Sequence, residues 1–401
     1  MNTTINKHAL VFGFTSVFLI GLGLTIINPV IPFIVAKYTD NSQQQATAVT
    51  LLTSIYAFSM FLSAPILGAL SDRFGRKIVL VSSLFGSAIG YFLFGLGGAL
   101  WVLFLSRIIE GLTGGEISAI LAYFADITTE ENRTKYFGWI SAVVGIGTAS
   151  GPLIGGVFAQ FGPTVPLYVA ALLSFTNGLY GYFFMPESLA IKDRTSRLSF
   201  QQINPILQFR SIFSIHSVKW LLLSGFFIWL PNGSFQAIFA QFSIDTFTLK
   251  PVMIGLTFSL IGVIDIFSQL LIMPVLLRHW NDQRILKVGI SSEIMGYFLI
   301  VLSVFSGAVS LFVFGMLFFG FGDAIFSPSF NGLLSKQANK MEQGKIQGAS
   351  QSIQALARVI GPILGGQLYV HFHHTVPVIA GIVLLGFAVA LLNREKSPKV
   401  E

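Results

Sequence analysis

Twelve long apolar stretches, separated by short polar segments, make up nearly the whole chain. A helix that crosses the hydrocarbon core of a bilayer needs about 20 apolar residues. Such stretches are predicted at 9–36, 46–70, 78–98, 101–125, 135–160, 165–185, 217–244, 252–277, 284–305, 308–334, 345–370 and 376–393. Because almost no sequence remains for a domain in water, we predict an all-α membrane protein with twelve transmembrane helices.

The composition excludes most soluble functions. Charged residues make up 10% of the chain, against about 25% in soluble domains. The chain has no cysteine, so disulfides and thiolate metal sites are excluded. The three clustered histidines, His371, His373 and His374, fall in a predicted outer loop, and we expect no metal and no cofactor. No histidine lies deep in a span, as an intramembrane hydrolase would need, so we expect no enzyme.

The basic residues are distributed unevenly along the chain. If alternate loops face the same side, all but four of the 24 Lys and Arg residues face one side. The exceptions are Lys37 and Lys250 in opposite loops and Arg107 and Arg358 within spans. Because basic loops stay in the cytoplasm, we predict that both termini are cytoplasmic. This distribution explains the net charge of +7 without a nucleic-acid partner.

One hydrophilic interval, from about Pro186 to Ser217, divides the chain into two halves. We predict an amino-terminal six-helix bundle at 1–187, a cytoplasmic linker at 188–216 and a carboxy-terminal six-helix bundle at 217–401. The sequence GPLIGG at 151–156 recurs as GPILGG at 361–366, 210 residues later. The recurrence indicates duplication and two pseudo-symmetric bundles. The first span lacks a small-residue cleavage site, so we expect it to be a retained anchor.

The segment GALSDRFGRK, Gly68 to Lys77, resembles the signature loop between helices 2 and 3 of the major facilitator superfamily. Its glycines permit a tight turn, and its charges suit contacts that hold one membrane face closed. We expect Asp126 to pair with Arg73, and Asp72 to face the start of a helix in the other half. The alternative is a basic turn that only sets topology. The predicted gating residues are Gly68, Asp72, Arg73, Gly75, Arg76 and Asp126.

Four further segments resemble the major facilitator superfamily or, within it, the 12-span drug/proton antiporter group. GTASGPLIGG at 147–156 resembles its helix 5 element, with Gly147, Gly151, Pro152, Gly155 and Gly156 at the motif positions. The run from Arg107 to Gly115 resembles the RxxxG motif of the superfamily as a whole. AYFADIT at 122–128 and GLGLTIINPVIP at 21–32 are similar to tetracycline/proton antiporters and related multidrug exporters. The resemblance covers essentially the whole chain and implies the major facilitator fold.

The resemblance also implies a function. We expect proton-coupled efflux, by alternating access, of lipophilic drugs that are cationic or tetracycline-like, through the cell membrane of a bacterium. The partners would be the small molecule, protons and membrane lipids, with the chain acting as a monomer. A proton-coupled symporter of a nutrient or sugar, or a lipid flippase, would have the same fold, and both stay open as alternatives.

Seven charged residues lie deep within predicted spans, away from their ends, where charge is costly and so indicates function. We predict Asp265 and Asp323 as the protonatable pair, with Glu293 third. Arg107 and Glu110 are one helical turn apart and form a predicted ion pair in the same proton-coupling set. Glu116 and Arg358 complete the seven. At about 100° per residue, Glu116 points away from Arg107. Arg107, Glu110 and Glu116 are therefore not expected to line one cavity together.

Substrate contacts are predicted from the surroundings of Asp265. Phe258 and Gln269 lie on the same helical stripe as Asp265, and we add Asn28 and Arg358 as further candidate contacts. Related tetracycline exporters have a different ionisable residue at the place of Asp265, which leaves the substrate open. For each carboxylate, a structural hydrogen bond to a neighbouring helix is the alternative role.

Overall fold

The computed structural model describes residues 6–194, 219–337 and 343–393. Within these ranges all regular secondary structure is helical and no strand occurs. Among the described residues, ten segments are long and apolar enough to span a bilayer. The helices Gln343–His371 and Val376–Leu392 supply the two other predicted spans. The prediction of an all-α membrane protein is therefore confirmed.

The chain forms two compact units, and the first consists of Met1–Tyr38 and Ile55–Pro205. Its helices, in chain order, are α1 Lys7–Thr25, α2 Ile31–Val35, the greater part of α3 Ser42–Phe74, α4 Arg76–Leu96, α5 Leu100–Gly114, α6 Ile117–Ile127, α7 Glu130–Phe158 and α8 Val165–Phe184. Short 3₁₀ turns occur at Ala36–Tyr38, Ala159–Phe161 and Ile191–Asp193.

The second unit consists of Thr39–Ser54 and Ile206–Glu401. It contains the start of α3, then α9 Lys219–Phe247, α10 Pro251–Phe267, α11 Met273–His279, α12 Asp282–Ser306, α13 Val309–Gln337, α14 Gln343–His371 and α15 Val376–Leu392. A π-helical turn, Ser268–Ile272, joins α10 to α11. Most of the predicted linker, 195–216, lies outside the described residues, so the predicted bundle boundaries stay a prediction.

Glycines bring α1 and α7 together in the first unit. A Cβ atom on Gly147 would lie 2.4 Å from the carbonyl oxygen of Phe18, and one on Gly155 would lie 2.1 Å from that of Ile26. Small residues at every fourth position let membrane helices pack backbone against backbone. The glycines of the helix 5 motif therefore have a packing role, and α7 continues past Pro152 to Phe158.

The same arrangement recurs between α9 and α14 of the second unit. A Cβ atom on Gly361 would lie 2.7 Å from the carbonyl oxygen of Leu230, and one on Gly365 would lie 2.0 Å from Oγ of Ser234. These two glycines are the counterparts of Gly151 and Gly155 in the sequence repeat. The internal structure of the two units thus agrees with duplication.

Three predicted spans are interrupted. The first is broken by a turn at residues 26–30, where Pro29 lacks the N–H that a continuous helix needs. The fourth is broken at Gly115 and Glu116, between α5 and α6. The eighth contains the π-helical turn. Glu116 lies in the second interruption, and Asp265 lies three residues before the π-helical turn.

Candidate functional site

A polar centre lies at mid-height in the second unit. Asp323 is at the midpoint of α13, Asn232 is at the midpoint of α9, and Tyr297 is near the middle of α12. The amide Nδ2 of Asn232 donates a hydrogen bond to Asp323 Oδ1 over 3.1 Å. The hydroxyl of Tyr297 donates to Asn232 Oδ1 over 3.4 Å. The amide thus links the carboxylate to a fully buried phenol.

Glu293 adds a second carboxyl group to this centre. It is 0% exposed, and neither of its carboxylate oxygens accepts a hydrogen bond of ordinary geometry from a described residue. Asn232 and Asp323 are its polar neighbours. A Cβ atom on Gly322 would lie 2.6 Å from Glu293 Cγ, so the glycine beside Asp323 makes room for this side chain. Two carboxyl groups therefore meet where α12 packs on α13.

Asp265 lies close enough to this centre to interact with it electrostatically. It is half-buried, and Gln269 donates a hydrogen bond from Nε2 to Asp265 Oδ1 over 2.8 Å. The π-helical turn that follows α10 holds Gln269 one turn away. Both Asp265 and Arg358 interact with Asp323 through their charges. The structure therefore brings together the three predicted carboxylates of the second unit and the predicted arginine.

The other predicted substrate contacts have different surroundings. Phe258 is 8% exposed and packs edge-on against Phe239, with ring centroids 5.0 Å apart, so it has a place in the core of the second unit. Asn28 is half-buried in the turn between α1 and α2 of the first unit. Its N–H donates to the carbonyl oxygen of Thr25 over 3.1 Å. For these residues and for Gln269, substrate contact stays a prediction.

A second polar centre lies in the first unit. Arg107 and Glu110 form the predicted ion pair, and they are 3% and 2% exposed. The guanidinium also lies over two aromatic rings, 5.2 Å from the centroid of Tyr56 and 5.0 Å from that of Phe94. Such cation–π contacts stabilise a desolvated cation. The arginine is thus neutralised and packed within its own unit.

Glu116 lies in the turn that separates α5 from α6. It lines a small cavity together with Glu110, and Arg107 is not among the residues that line this cavity. The expectation that Arg107, Glu110 and Glu116 do not all line one cavity therefore stays a prediction. A Cβ atom on Gly115 would lie 2.7 Å from the backbone nitrogen of Ala64, so the break also allows close packing on α3.

The signature loop forms a network at the junction of α3 and α4. Gly75 has φ +105°, which favours glycine, and a Cβ there would lie 2.2 Å from Glu187 Oε2. The backbone N–H of Arg76 donates to Glu187 Oε1 over 2.9 Å. A carboxylate at a helix start complements the helix dipole. Glu187 thus caps α4, a role that the sequence did not indicate.

Arg76, not Arg73, is the arginine that binds Asp126. Its Nε lies 3.2 Å from Asp126 Oδ2, and its Nη1 lies 2.5 Å from Asp72 Oδ1. Arg73 instead lies over the ring of Phe74, at 5.2 Å. The predicted Arg73–Asp126 pair was therefore wrong, because the turn at Gly75 places the first residue of α4 between the two carboxylates. A Cβ atom on Gly68 would lie 3.2 Å from Oγ of Ser118.

Sequence reasoning missed several polar residues of the second unit. Asn232 follows Pro231 within an apolar span, and an amide in that position is the signal that could have indicated it. Asp245, near the end of α9, accepts hydrogen bonds from Ser42 over 2.8 Å, from Gln241 over 3.0 Å and from Tyr369 over 2.6 Å. No local sequence pattern joins these residues, because they come from α3, α9 and α14.

Among the three clustered histidines, His371 and His373 have different hydrogen-bond partners, and the ring centroids of His373 and His374 lie 3.8 Å apart. His371 is hydrogen-bonded to Gln367 over 3.0 Å, and His373 to Thr375 over 2.9 Å. Burial lowers the pKa of His374 from its ordinary value, with a smaller contribution from the neighbouring His373. In the described part of the chain, no three His, Asp or Glu side chains are grouped as a metal ion would need.

The sequence profile of the Major Facilitator Superfamily matches residues 13–362 and 307–401. The chain is 30% identical over 364 residues to the class C tetracycline resistance protein of Escherichia coli, across 91% of this chain and 90% of that protein. It is 26% identical over 404 residues to multidrug resistance protein 2 of Bacillus subtilis, across 99% and 98%. The crystal structure of a human organic anion transporter, MFSD10, matches with a TM-score of 0.70 at 21% identity, across 96% and 99%.

Spanning helices with charged groups buried at mid-height define a multi-pass membrane transport protein. The chain belongs to the Major Facilitator Superfamily. The predicted family and fold class are confirmed. The roles of the individual residues stay predictions, and they are carried into the proposal that follows.

Proposed function

We propose that the protein exports lipophilic drugs, cationic or tetracycline-like, in exchange for protons by alternating access. The likeness to tetracycline and multidrug resistance proteins supports drug efflux. The distribution of Lys and Arg supports a cell membrane location with both termini in the cytoplasm. The chain would act as a monomer in a bacterial membrane, with the small molecule, protons and lipids as its partners.

The observation that carries the proposal is the group of carboxylates in the second unit. Among the described residues, no Lys or Arg forms an ion pair within 4.0 Å with Asp265, Glu293 or Asp323. A lone carboxylate at membrane depth is much less costly when it is protonated. These side chains therefore have a physical reason to take up protons, and the amides of Asn232 and Gln269 hold two of them in place.

Proton and substrate would compete for this acidic site. A proton that enters from outside neutralises Asp323 or Asp265 and weakens the attraction for the drug, which leaves. On the cytoplasmic side, loss of the proton restores the charge and the drug binds again. One charge that crosses a potential of 100 mV supplies about 2.3 kcal/mol, which corresponds to a gradient of about fiftyfold.

Other predicted residues have supporting roles. The Arg107–Glu110 pair would belong to the proton-coupling set of the first unit. The contacts of Arg76 with Asp72 and Asp126 would hold the cytoplasmic end of that unit in one state and break in the other. Gly68, Arg73 and Gly75 would shape the same loop.

Everted membrane vesicles test the proposal directly. An acidic interior should drive uptake of ethidium or tetracycline, and a protonophore should abolish it. Asp323→Asn and Asp265→Asn should each lower this uptake, at least one of them by more than about tenfold, because an amide carries no proton. Asp193→Asn, which changes an exposed carboxylate, is the matched control. Wild-type uptake in both site variants would contradict the assignment, and import into intact cells would favour a symporter.

A further inference from the structure

The first unit contains a small cavity beside its buried charges. Its volume is about 30 Å³, and it lies between residues of α1, α3, α4, α5 and α8 and the turn before α6. Its polar lining comes from Tyr56, Ser87, Tyr91, Glu110, Glu116 and Ser174. One water needs about 10–15 Å³ of such space and two to four polar partners. The cavity is therefore large and polar enough for water.

Glu116 lines this cavity with a carboxylate oxygen that has no hydrogen-bond partner among the described residues. It is 3% exposed, and its Oε2 accepts no hydrogen bond of ordinary geometry from a described residue. Ser83 is its nearby hydroxyl partner. Of the other hydroxyls, Ser87 is already hydrogen-bonded to Thr113 over 3.0 Å. A buried carboxylate oxygen thus lies against space that a water or a hydronium ion can enter.

No charged group around Glu116 in the described residues would neutralise its negative charge if it were ionised. Arg107 is the cation near this cavity, and it is paired with Glu110 from the same helix. Tyr91 from α4 and Tyr56 from α3 face the same region and are uncharged at neutral pH. α1 contributes Leu19, Ile20 and Gly23, and α8 contributes Ser174. An ionised Glu116 would therefore be the one uncompensated charge among these described groups, which strongly favours its protonated form.

The backbone at Glu116 is suited to a change of exposure. Glu116 occupies the turn between α5 and α6, and the adjacent Gly115 packs directly on the backbone of α3 at Ala64. Residues at helix ends absorb changes in backbone angle more easily than residues within helices. A shift of α3 against this turn would therefore move the carboxyl group relative to the cavity.

We propose that Glu116 is a proton-binding site of the first unit, additional to the carboxylates of the second unit, and that it takes up and releases one proton per transport cycle. A hydronium ion in the cavity transfers its proton to a carboxylate oxygen of Glu116; an O–H bond forms and a water molecule remains. Release is the reverse transfer to water. This inference rests on the proposed proton-coupled export and adds a second proton to it.

The number of protons per substrate tests the inference. The full chain is reconstituted in proteoliposomes, the membrane potential is clamped at zero, and the accumulation of ethidium at equilibrium is measured against the imposed pH difference. Two protons predict about 100-fold accumulation per pH unit, and one predicts about tenfold. We expect about 100-fold accumulation per pH unit for the wild type and about tenfold for Glu116→Gln; this dependence on the pH difference is the slope. Glu116→Asp keeps a titratable group and should keep the wild-type slope.

The controls separate the two proposals. Glu130→Gln changes an exposed carboxylate at the start of α7 and should behave as the wild type. If the wild type accumulates no ethidium, the proposed export is wrong. If the wild type accumulates ethidium but Glu116→Gln keeps its slope, the role of Glu116 is wrong. Ethidium accumulation that depends on an imposed sodium gradient instead of the pH difference would also contradict proton binding at Glu116.

An infrared measurement covers the case in which Glu116→Gln does not fold. A protonated carboxyl group in an apolar site gives a C=O absorption that disappears on ionisation. We expect a pH-dependent absorption of this kind in the wild-type protein, at a shifted frequency in Glu116→Asp. An absorption that is identical in both proteins would show that it does not come from Glu116 and would overturn the inference.

Discussion

The polar centres of the two units differ in how their carboxyl groups are compensated. In the first unit, Glu110 has Arg107 as a direct partner, and aromatic rings surround the guanidinium. In the second unit, Asp323 has the amide of Asn232 as its partner, and Glu293 is buried beside it. An arginine keeps its neighbour ionised, whereas an amide is compatible with either protonation state. The centre at Asp323 is therefore better suited to exchange protons than the Arg107–Glu110 pair.

The largest difference in the free energy of unfolding should arise when Arg107 of the first centre or Asn232 of the second is replaced. Arg107→Met leaves Glu110 buried and uncompensated, which should lower the free energy of unfolding by about 3–5 kcal/mol. Asn232→Leu should cost less, about 1–3 kcal/mol, because Asp323 can become protonated. Reversible unfolding of the purified variants in mixed detergent micelles measures both. Equal losses in the two variants would remove the contrast between the centres.

A double variant tests the ion pair itself. Replacing both Arg107 and Glu110 by Met leaves no buried charge, so it should cost clearly less than Arg107→Met alone. If the losses of the two single variants simply add in the double variant, the pair is not coupled. The first polar centre would then need another explanation.

The two units should also differ in how much a methyl group destabilises the crossing of α1 with α7 and that of α9 with α14. Gly155→Ala places a methyl group against the backbone oxygen of Ile26, which cannot move away, and should cost about 1–3 kcal/mol. Its counterpart Gly365→Ala meets the side chain of Ser234 first, so we expect a smaller loss. Adding Ser234→Gly should relieve part of the second loss. If Gly365→Ala costs as much as Gly155→Ala, the two crossings are equally rigid.

Substitutions at the loops that precede α4 and α12 should differ less in their effect on the free energy of unfolding. Gly75→Ala introduces a side chain at positive φ and against Glu187, which should cost about 1–3 kcal/mol. The corresponding helix start in the second unit, α12, is capped by Asn281, which accepts from the N–H of Arg284 over 2.9 Å. Asn281→Ala should cost about 1 kcal/mol. The same unfolding assay compares them, and a larger loss for Asn281→Ala would reverse the comparison.

The smallest expected effect concerns His374 of the second unit. Because its pKa is lowered in the folded state, the unfolded chain binds more protons, and stability should fall as the pH drops below about 6.5. His374→Gln should remove this part of the acid dependence. Thermal unfolding of both proteins between neutral and mildly acid pH measures it. An unchanged pH profile in the variant would assign the dependence to other groups.

Much of the fold could be predicted because the bilayer imposes length and composition on every span. The repeated GPxxGG sequence also predicted duplication, and in both units its glycines lie where two helices approach closely. The turn at Glu116 was not predicted, because nothing in the sequence around Gly114 and Gly115 fixes where a helix of this kind breaks. Uninterrupted periodicity is too simple an assumption for such spans.

The candidate site was predictable only in part. Carboxylates are conspicuous in an apolar sequence, so Asp265, Glu293 and Asp323 could be named as candidates, and their roles stay predictions. Their uncharged partners, Asn232 and Tyr297, were not, because neutral polar residues are common in membrane helices. The choice of Arg76 over Arg73 depends on the turn at Gly75, which sets the direction of α4. Such pairings need the three-dimensional structure.

The central claim is that carboxylates of the second unit exchange protons for substrate. Its most direct measurement is the release of protons from the purified protein, in weakly buffered detergent solution, when ethidium or tetracycline is added. We predict that the wild type releases protons and that Asp323→Asn releases about one fewer per molecule while it still binds the ligand. Identical release from both proteins, with ligand binding intact, would contradict the account.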